Sequence, residues 1–349
     1  MKKLLLVTDT YPPDINGVAR WAEEMAQRLP GKGVEVAVAH PRLFWHVPMP
    51  FYPELAVALS AARPFARMLE RERPDFVHIA DEGPLGLSAR RVCVSRGVPF
   101  TTSYHTRFDM YAGMRVPGVG PLARAYLRRF HRPSAAVFAA TPSLCETLQA
   151  ERFARVVLVP FGIDTEFFTR DPRPTVPELP EPVFAFFGRV VVEKSPEEFL
   201  SLPLPGTKLV IGDGPARMRL ERRYGDAAKF IGYRKGGELV EWLSRVDVLV
   251  MPSRTETFGL VIAEALACGI PCAAYDVMGP KDIITDGTDG ILAKDGDLAK
   301  AARACLSLSR EACREKALRY SWDESLDAFV GHLVPLSGGA REASHAGAR

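Results

Sequence analysis

The stretch Val246-Asp247-Val248-Leu249-Val250-Met251-Pro252-Ser253-Arg254-Thr255-Glu256-Thr257-Phe258-Gly259-Leu260-Val261-Ile262-Ala263-Glu264-Ala265-Leu266-Ala267 decides the fold. It opens on an apolar, β-branched run, the composition of a strand covered on both faces. Polar turn residues follow, then an apolar helical pattern that stops at Gly269. A helix that opens at a strand's carboxyl end presents backbone N–H groups without internal partners and the positive end of its dipole. Gly259 has no side chain to keep a ligand off that backbone. Together these features make a site for a diphosphate. Glu256 sits just ahead of the helix, placed to bond a sugar hydroxyl. Glu264 lies about one and a half turns inside it, able to accept from ribose hydroxyls. The plainer alternative is that Glu256 caps the helix and Glu264 lies on its solvated face.

Outward from this unit the alternation repeats. Val183–Phe187, Lys208–Ile211, Ala228–Ile231 and Pro271–Ala274 read as further strands, with helical patterns between them. The first half carries its own series: Leu4–Val7, Val34–Ala39, Phe76–Ile79, Phe100–Ser103, Ala136–Ala139 and Val156–Val159. Amphipathic stretches such as Val18–Leu29 and Pro84–Ser95 separate them. Such alternation predicts doubly wound parallel sheets. Between the halves, Pro172, Pro174, Pro177, Pro180 and Pro182 mark an extended linker. The expected architecture is therefore α/β, with two Rossmann-like domains at residues 1–168 and 183–320 joined by a proline-rich linker at 169–182. Their strand ends would face an interdomain cleft. Residues 321–336 are predicted to form a C-terminal helix that can cross back to the first domain, and the Gly/Ala/Ser-rich residues 337–349 a disordered tail.

Composition narrows the class. Of the 349 residues 47% are apolar and 25% charged, which suits a globular protein rather than a fibrous or disordered one. No run of 18 apolar residues exists, so no spanning helix is expected. Met1-Lys2-Lys3 before Leu4–Val7 mimics a secretion signal, but the run is too short and Asp9, Tyr11, Pro12 and Pro13 follow it; it reads as a buried strand. Cys93, Cys145, Cys268, Cys272, Cys305 and Cys313 have neither zinc nor redox spacing and read as small core residues of a cytoplasmic protein. Residues 1–170 hold 22 Lys/Arg against 16 Asp/Glu, while the remainder holds 23 against 26. A basic first half points to an anionic surface that meets the first domain only. Nucleic acid is a poor fit, because the basic faces belong to no recognised binding module.

The pair of glutamates separated by seven residues around Phe258-Gly259-Leu260-Val261 resembles the signature of glycosyltransferase family 4, a retaining GT-B family. The resemblance extends along almost the whole chain. Thr10-Tyr11-Pro12-Pro13 with Asn16-Gly17-Val18 is similar to the family's first acceptor-side loop, and Ser103-Tyr104-His105-Thr106 to its strand-end histidine. Pro160-Phe161-Gly162-Ile163-Asp164 matches the segment before the hinge. Gly188-Arg189-Val190 with Glu193-Lys194 matches the phosphate-binding pair, and Gly212-Asp213-Gly214-Pro215 the next turn.

The resemblance implies transfer of a hexose from a nucleotide-diphosphate sugar, such as GDP-mannose, a UDP-hexose or UDP-glucuronate, to an acceptor hydroxyl. It also implies that no metal and no other cofactor is required. Departure of the diphosphate builds negative charge, which Arg189, Lys194 and the helix end at Gly259 would neutralise. Asp295-Gly296-Asp297 spells a metal-binding pair, but its glycine and its place before a helical pattern read as a turn and N-cap. His105 is expected to contact the donor sugar, with attack on the front face of the sugar and the β-phosphate taking the acceptor's proton. Gly17 would admit the donor phosphate to the backbone, Gly188, Thr257, Phe258, Leu260 and Val261 would line the donor site, and Tyr233 would lie beside the base.

Arg63, Arg67 and Arg71 recur every fourth residue beside Phe65, Met68 and Leu69, and Arg124, Arg128 and Arg132 do the same beside Tyr126 and Phe130. Such faces suit anionic headgroups. Phe44–Tyr52, with Trp45, reads as an apolar loop able to cover a lipid acceptor; Tyr11 belongs to the same side. The chain is similar to family members that glycosylate lipids, which implies a peripheral enzyme on the inner face of the cell membrane. The competing readings are solvated helix faces with a soluble or polysaccharide acceptor, a sugar-nucleotide epimerase of the same fold, and a non-catalytic binding protein. Oligomeric state is open.

Overall fold

A computed structural model describes residues 1–49, 52–110, 118–153, 155–171 and 174–336. The chain forms two compact units. The first comprises Met1–Ala140, Cys145–Val159 and the residues from Leu326 onward. Its elements begin with β1 (Lys2–Val7), α1 (Gly17–Arg28), β2 (Val34–Ala39), β3 (His46–Met49), β4 (Tyr52–Ala58), α2 (Ala62–Glu72) and β5 (Phe76–Ile79). They continue with α3 (Pro84–Arg96), β6 (Thr101–Ser103), α4 (Gly120–His131), β7 (Val137–Ala139), α5 (Pro142–Ala150) and β8 (Val156–Leu158).

A parallel sheet runs β2-β1-β5-β6-β7-β8. Leu4 to Val7 are fully buried, as a strand near the middle of such a sheet requires. Helix α1 starts where it does because the Asn16 side chain accepts from the Val18 and Ala19 amides at 3.1 and 2.9 Å, a cap worth about 1 kcal/mol. The expected loop at Phe44–Tyr52 is instead built around an antiparallel hairpin, β3 against β4. Pro48 and the lack of alternation in this apolar run hid the pairing.

The second unit comprises Thr141–Leu144 and Pro160–Ser325. Its elements run β9 (Val183–Phe187), α6 (Pro196–Ser201), β10 (Thr207–Ile211), α7 (Arg217–Tyr224), β11 (Lys229–Gly232), α8 (Gly236–Ser244), β12 (Val248–Met251) and α9 (Leu260–Ala267). Then come β13 (Cys272–Tyr275), α10 (Pro280–Ile283), β14 (Gly290–Ala293), α11 (Leu298–Cys305), α12 (Arg310–Ala317) and α13 (Trp322–His332). The parallel sheet order is β11-β10-β9-β12-β13-β14. Phe184, Phe186 and Phe199 fill its core with Val210, Leu220 and Val248.

The expected linker at 169–182 is part of this unit. Asp171 N donates to Ser244 Oγ at 2.8 Å, Arg245 to the carbonyls of Pro174 and Val176 at 3.1 and 3.0 Å, and Thr207 Oγ1 to Pro180 O at 2.7 Å. Prolines mark extended chain, but extended carbonyls still bind neighbouring donors, and the division falls earlier, at Val159/Pro160. Within α13, Ser325 belongs to the second unit and donates to Pro160 O at 2.7 Å. Phe329 lies in the first, its ring 4.9 Å from His78 and 5.4 Å from Phe138. The tail expected at 337–349 lies outside the described residues, as does Pro172.

Candidate functional site

The segment after β12 leaves from the interior of the second sheet, since β9 and β13 flank that strand. It is well packed: Pro252, Ser253, Thr255, Glu256, Phe258 and Gly259 are buried. Phe258 lies between Phe161 and Tyr320, with ring centroids 5.2 and 5.7 Å away and nearly perpendicular planes. Its ring is therefore a core anchor. Gly259 adopts φ +102° as the N-cap of α9, a left-handed conformation that side-chain-bearing residues resist. The N-cap residue Gly259 has no side chain with which to cap α9, and the Glu256 carboxylate is paired with Lys194. Leu260 and Val261 are half-buried in its first turn. Glu264 is 2% exposed, inside the unit, which removes the solvated-face alternative.

The turn after β9 packs against this helix start. Gly188 N donates to Ile211 O at 2.9 Å and Val190 N to Asp213 O at 2.8 Å. A Cβ on Gly212 would sit 1.9 Å from Gly188 O, so the two turns meet backbone to backbone. A Cβ on Gly188 would have Val261 Cγ1 at 3.7 Å, which sets β9's end beside α9's first turn. Beyond it, Val192–Lys194 forms a 3-10 turn that presents Lys194. The Lys194 ammonium forms an ion pair with the Glu256 carboxylate. Thr255 Oγ1 donates to Glu193 O at 3.4 Å and ties the same two segments. Lys194, Glu256, Gly188 and the α9 terminus thus converge. Arg189, half-buried, lies in the Gly188–Val190 turn, Thr257 is half-buried, and Tyr233, 46% exposed, follows β11. The Glu256 side chain is 8% exposed and that of Lys194 28%, so the carboxylate is desolvated and its partner is not fully so. A buried carboxylate needs such a cation, and a cation left half open to solvent can still meet an anion.

In the first unit, His105 follows β6 at 9% exposure, its ring 4.7 Å from that of Trp21. Burial, aided by the charge of His131, pushes its pKa down to about 3, so the imidazole is neutral at ordinary pH. Nearby strand ends hold a carboxylate cluster that the sequence reading missed. Asp9 accepts from the Leu85 and Gly86 amides at 2.8 and 2.9 Å and so caps α3. Asp81 accepts from Thr8 Oγ1 at 2.6 Å, and Glu82 lies 3.0 Å from His131 Nε2. Burial raises Asp9 and Asp81 to about 7 and Glu82 to about 8. Their place just after β1 and β5 was the available signal.

Residues 15–167 match the family model described as Glycosyltransferase Family 4, and residues 181–311 that of Glycosyl transferases group 1. A GDP-mannose-dependent alpha-mannosyltransferase of Mycobacterium tuberculosis is 30% identical over 370 residues, which cover 96% of this chain and 97% of that protein. The chain belongs to glycosyltransferase family 4. A sulfoquinovosyl transferase of Arabidopsis thaliana is 30% identical over 79% of this glycosyltransferase and 59% of its own length. Among solved structures, sucrose-phosphate synthase from Thermosynechococcus elongatus aligns at TM-score 0.75 with 16% identity, covering 95% of this chain and 98% of that one. Anabaena HepE in complex with UDP-glucose aligns at 0.70 with 14% identity, covering 94% and 98%. The two parallel-sheet units of this glycosyltransferase are thus those of the GT-B architecture.

The residues expected on the glycosyltransferase's acceptor side divide in two groups. Arg63, Arg67 and Arg71 are exposed on α2, opposite buried Phe65, Met68 and Leu69, and Arg128 is exposed on α4. Trp45 is 70% exposed just before the hairpin. Arg124 is also exposed on α4, and it is paired with Asp109 at 3.2 Å and Glu151 at 3.7 Å. Tyr11 stacks on His40 at 5.0 Å, and Gly17 is the first residue of α1. Asp297 caps α11 by accepting from Lys300 N at 2.9 Å, the turn-and-cap role expected of it.

Proposed function

We propose that this family 4 glycosyltransferase moves mannose from GDP-mannose to a hydroxyl of a membrane lipid, with retention at the anomeric carbon and without a divalent metal. The observation that carries the reading is the Lys194–Glu256 pair beside the glycine-capped start of α9. The diphosphate would rest on the α9 amides, with Arg189 and Lys194 over its oxygens. As the bond from sugar carbon to phosphate oxygen breaks, negative charge grows on the diphosphate and Lys194 is drawn from Glu256 toward it. The freed carboxylate oxygen then accepts from a sugar hydroxyl. Each preorganised donor of this kind contributes about 10²–10³ in kcat. His105 enters as a neutral contact to the donor sugar on the family resemblance.

The mannosyl donor is favoured by the likeness to GDP-mannose-dependent alpha-mannosyltransferases, two of which are 30% and 27% identical. UDP-glucose, UDP-galactose and UDP-glucuronate are the alternatives. GDP-mannose is itself α-linked, so an α-product means retention. The lipid acceptor is favoured by exposed Arg63, Arg67, Arg71 and Arg128 and by Trp45. A cation near an anionic leaflet contributes about 1 kcal/mol. Among the described residues no helix is long and apolar enough to cross a membrane. The test is incorporation of label from each nucleotide sugar into a chloroform-soluble product in the presence of anionic vesicles. Label from GDP-mannose alone supports the reading; a water-soluble product refutes the lipid acceptor, and a UDP-sugar preference refutes the donor.

A further inference from the structure

Lys194 and Glu256 come from segments that are far apart in the sequence, and each stands on a short turn. A turn has few internal contacts to fix the height of a side chain. Contacts on either side of the pair supply the fixing. On one side is the Thr255 hydroxyl on Glu193 O. On the other, Arg254, two residues before Glu256, reaches Glu198 in α6, four residues after Lys194. Its Nη1 donates to Glu198 Oε2 at 2.7 Å and its Nη2 to Glu198 Oε1 at 3.0 Å, a parallel two-bond fork. The guanidinium lies 3.8 Å from the centroid of the Tyr275 ring, at the end of β13. The Tyr275 hydroxyl in turn donates to Glu198 Oε1. Arginine, carboxylate and phenol therefore close a ring of contacts that joins α6, the β12–α9 segment and the sheet.

As a surface ion pair this would mean little. The Arg254 side chain is 51% exposed and that of Glu198 29%, and exposed pairs contribute about 0–1 kcal/mol to stability. The geometry points instead to a positional role. We propose that Arg254 is a positioning residue: its fork to Glu198, laid on the Tyr275 ring, sets the height of Glu256 against Lys194 at the mouth of α9. The proposal rests on the reading of that pair as the diphosphate- and sugar-binding element. Misplacement by about 1 Å costs up to about 10²-fold in rate, so a modest anchor controls a large kinetic effect.

The experiment compares Arg254→Met, Arg254→Lys and the exchange Arg254→Glu/Glu198→Arg with wild type and with Lys194→Met. Arg254→Met is expected to lower kcat about 10- to 50-fold with the donor KM within about twofold, because the pair matters most as charge develops. Arg254→Lys keeps the charge but loses the fork and the flat stacking, and is expected to stay at least fivefold down. The exchange variant is expected to regain most of the loss. In the unliganded protein, amide exchange at Thr255 to Thr257 is expected to rise about tenfold in Arg254→Met and to stay unchanged in β12. A wild-type kcat in folded Arg254→Met overturns the proposal, as does unchanged exchange at Thr255 to Thr257. If wild type transfers no sugar from any nucleotide donor, the functional reading fails, and the exchange measurement alone decides whether Arg254 positions Glu256.

Discussion

Replacement of Lys194 by Met separates the two things the Lys194–Glu256 pair does. The Glu256 side chain is 8% exposed, so loss of the ammonium leaves a desolvated carboxylate behind. Breaking a fully buried pair costs about 3–5 kcal/mol, and breaking an exposed one about 0–1. With its lysine 28% exposed, this pair falls between those limits, at about 1–3 kcal/mol. For a unit of this size that lowers the melting temperature by about 3–9 °C. Activity suffers separately, because a cation aimed at the departing diphosphate is gone; kcat is expected to fall about 10²–10³-fold. The double variant Lys194→Met/Glu256→Gln discriminates. Removal of the stranded charge should restore most of the melting temperature, since the two stability effects are coupled, while transfer stays at least as low as in the single variant. Differential scanning fluorimetry and a radiolabelled transfer assay on the same preparations supply both readings. If activity returns together with stability, the pair is structural only and the catalytic assignment is wrong.

Excess chelator should leave transfer unchanged; loss restored by magnesium or manganese contradicts charge neutralisation by protein groups alone. Gly212→Ala, whose new Cβ would lie 1.9 Å from Gly188 O at φ +148°, should cost more than about 3 kcal/mol, whereas Gly287→Ala, with open space at φ +81°, should cost about 1–2 in equilibrium unfolding. Asp9, Asp81 and Glu82 have raised pKa values in the folded state, near 7, 7 and 8, so their protonated forms stabilise the first unit at low pH and that contribution is lost as pH rises through these values. His105 and His131, depressed to about 3, act oppositely but only below their unfolded value of 6.5. The first unit should therefore lose stability between pH 6.5 and 8.5, read as falling protection factors in β1 and β5 once exchange is corrected for its intrinsic pH dependence; constant or rising protection refutes the charge assignment. Arg63→Glu with Arg67→Glu should reduce flotation with anionic liposomes at low salt about tenfold or more, and undiminished flotation removes α2 from the membrane reading.

The strands were legible because parallel sheets covered on both faces demand unbroken apolar runs, and Leu4–Val7, Val183–Phe187 and Val248–Val250 meet that demand without help from the rest of the chain. Strand β14 was missed for the converse reason: Gly290-Ile291-Leu292-Ala293 is short, opens on glycine and follows a turn, so nothing local distinguishes it from the end of a loop. The linker was misread because proline density reports backbone extension, which is local, whereas membership in a unit depends on distant donors such as Arg245 and Ser244. Sequence periodicity registers the first kind of fact and is blind to the second.

The candidate site divides along the same line. Gly259 and Gly188 were readable, because a turn that must approach another backbone or an anion excludes a side chain, and only glycine meets that condition. Phe258 between them carries a packing role that has no local signal: in a run of functional residues a large buried ring holds the others still, and Phe161 and Tyr320 bury it. The pairing of Lys194 with Glu256 had no local signal at all. The sequence pattern points each residue to a separate partner, phosphate for one and sugar for the other, yet the two pair with one another. Under the proposed function such mutual satisfaction suits a site for a charged donor. A buried carboxylate without a cation would shift its protonation or destabilise the fold, and a cation without a partner would hold solvent or stray anions in the donor's place. Under the proposed function the donor would redistribute an existing charge pair, and the cost of that redistribution would fall at the step where negative charge appears on the diphosphate and can offset it.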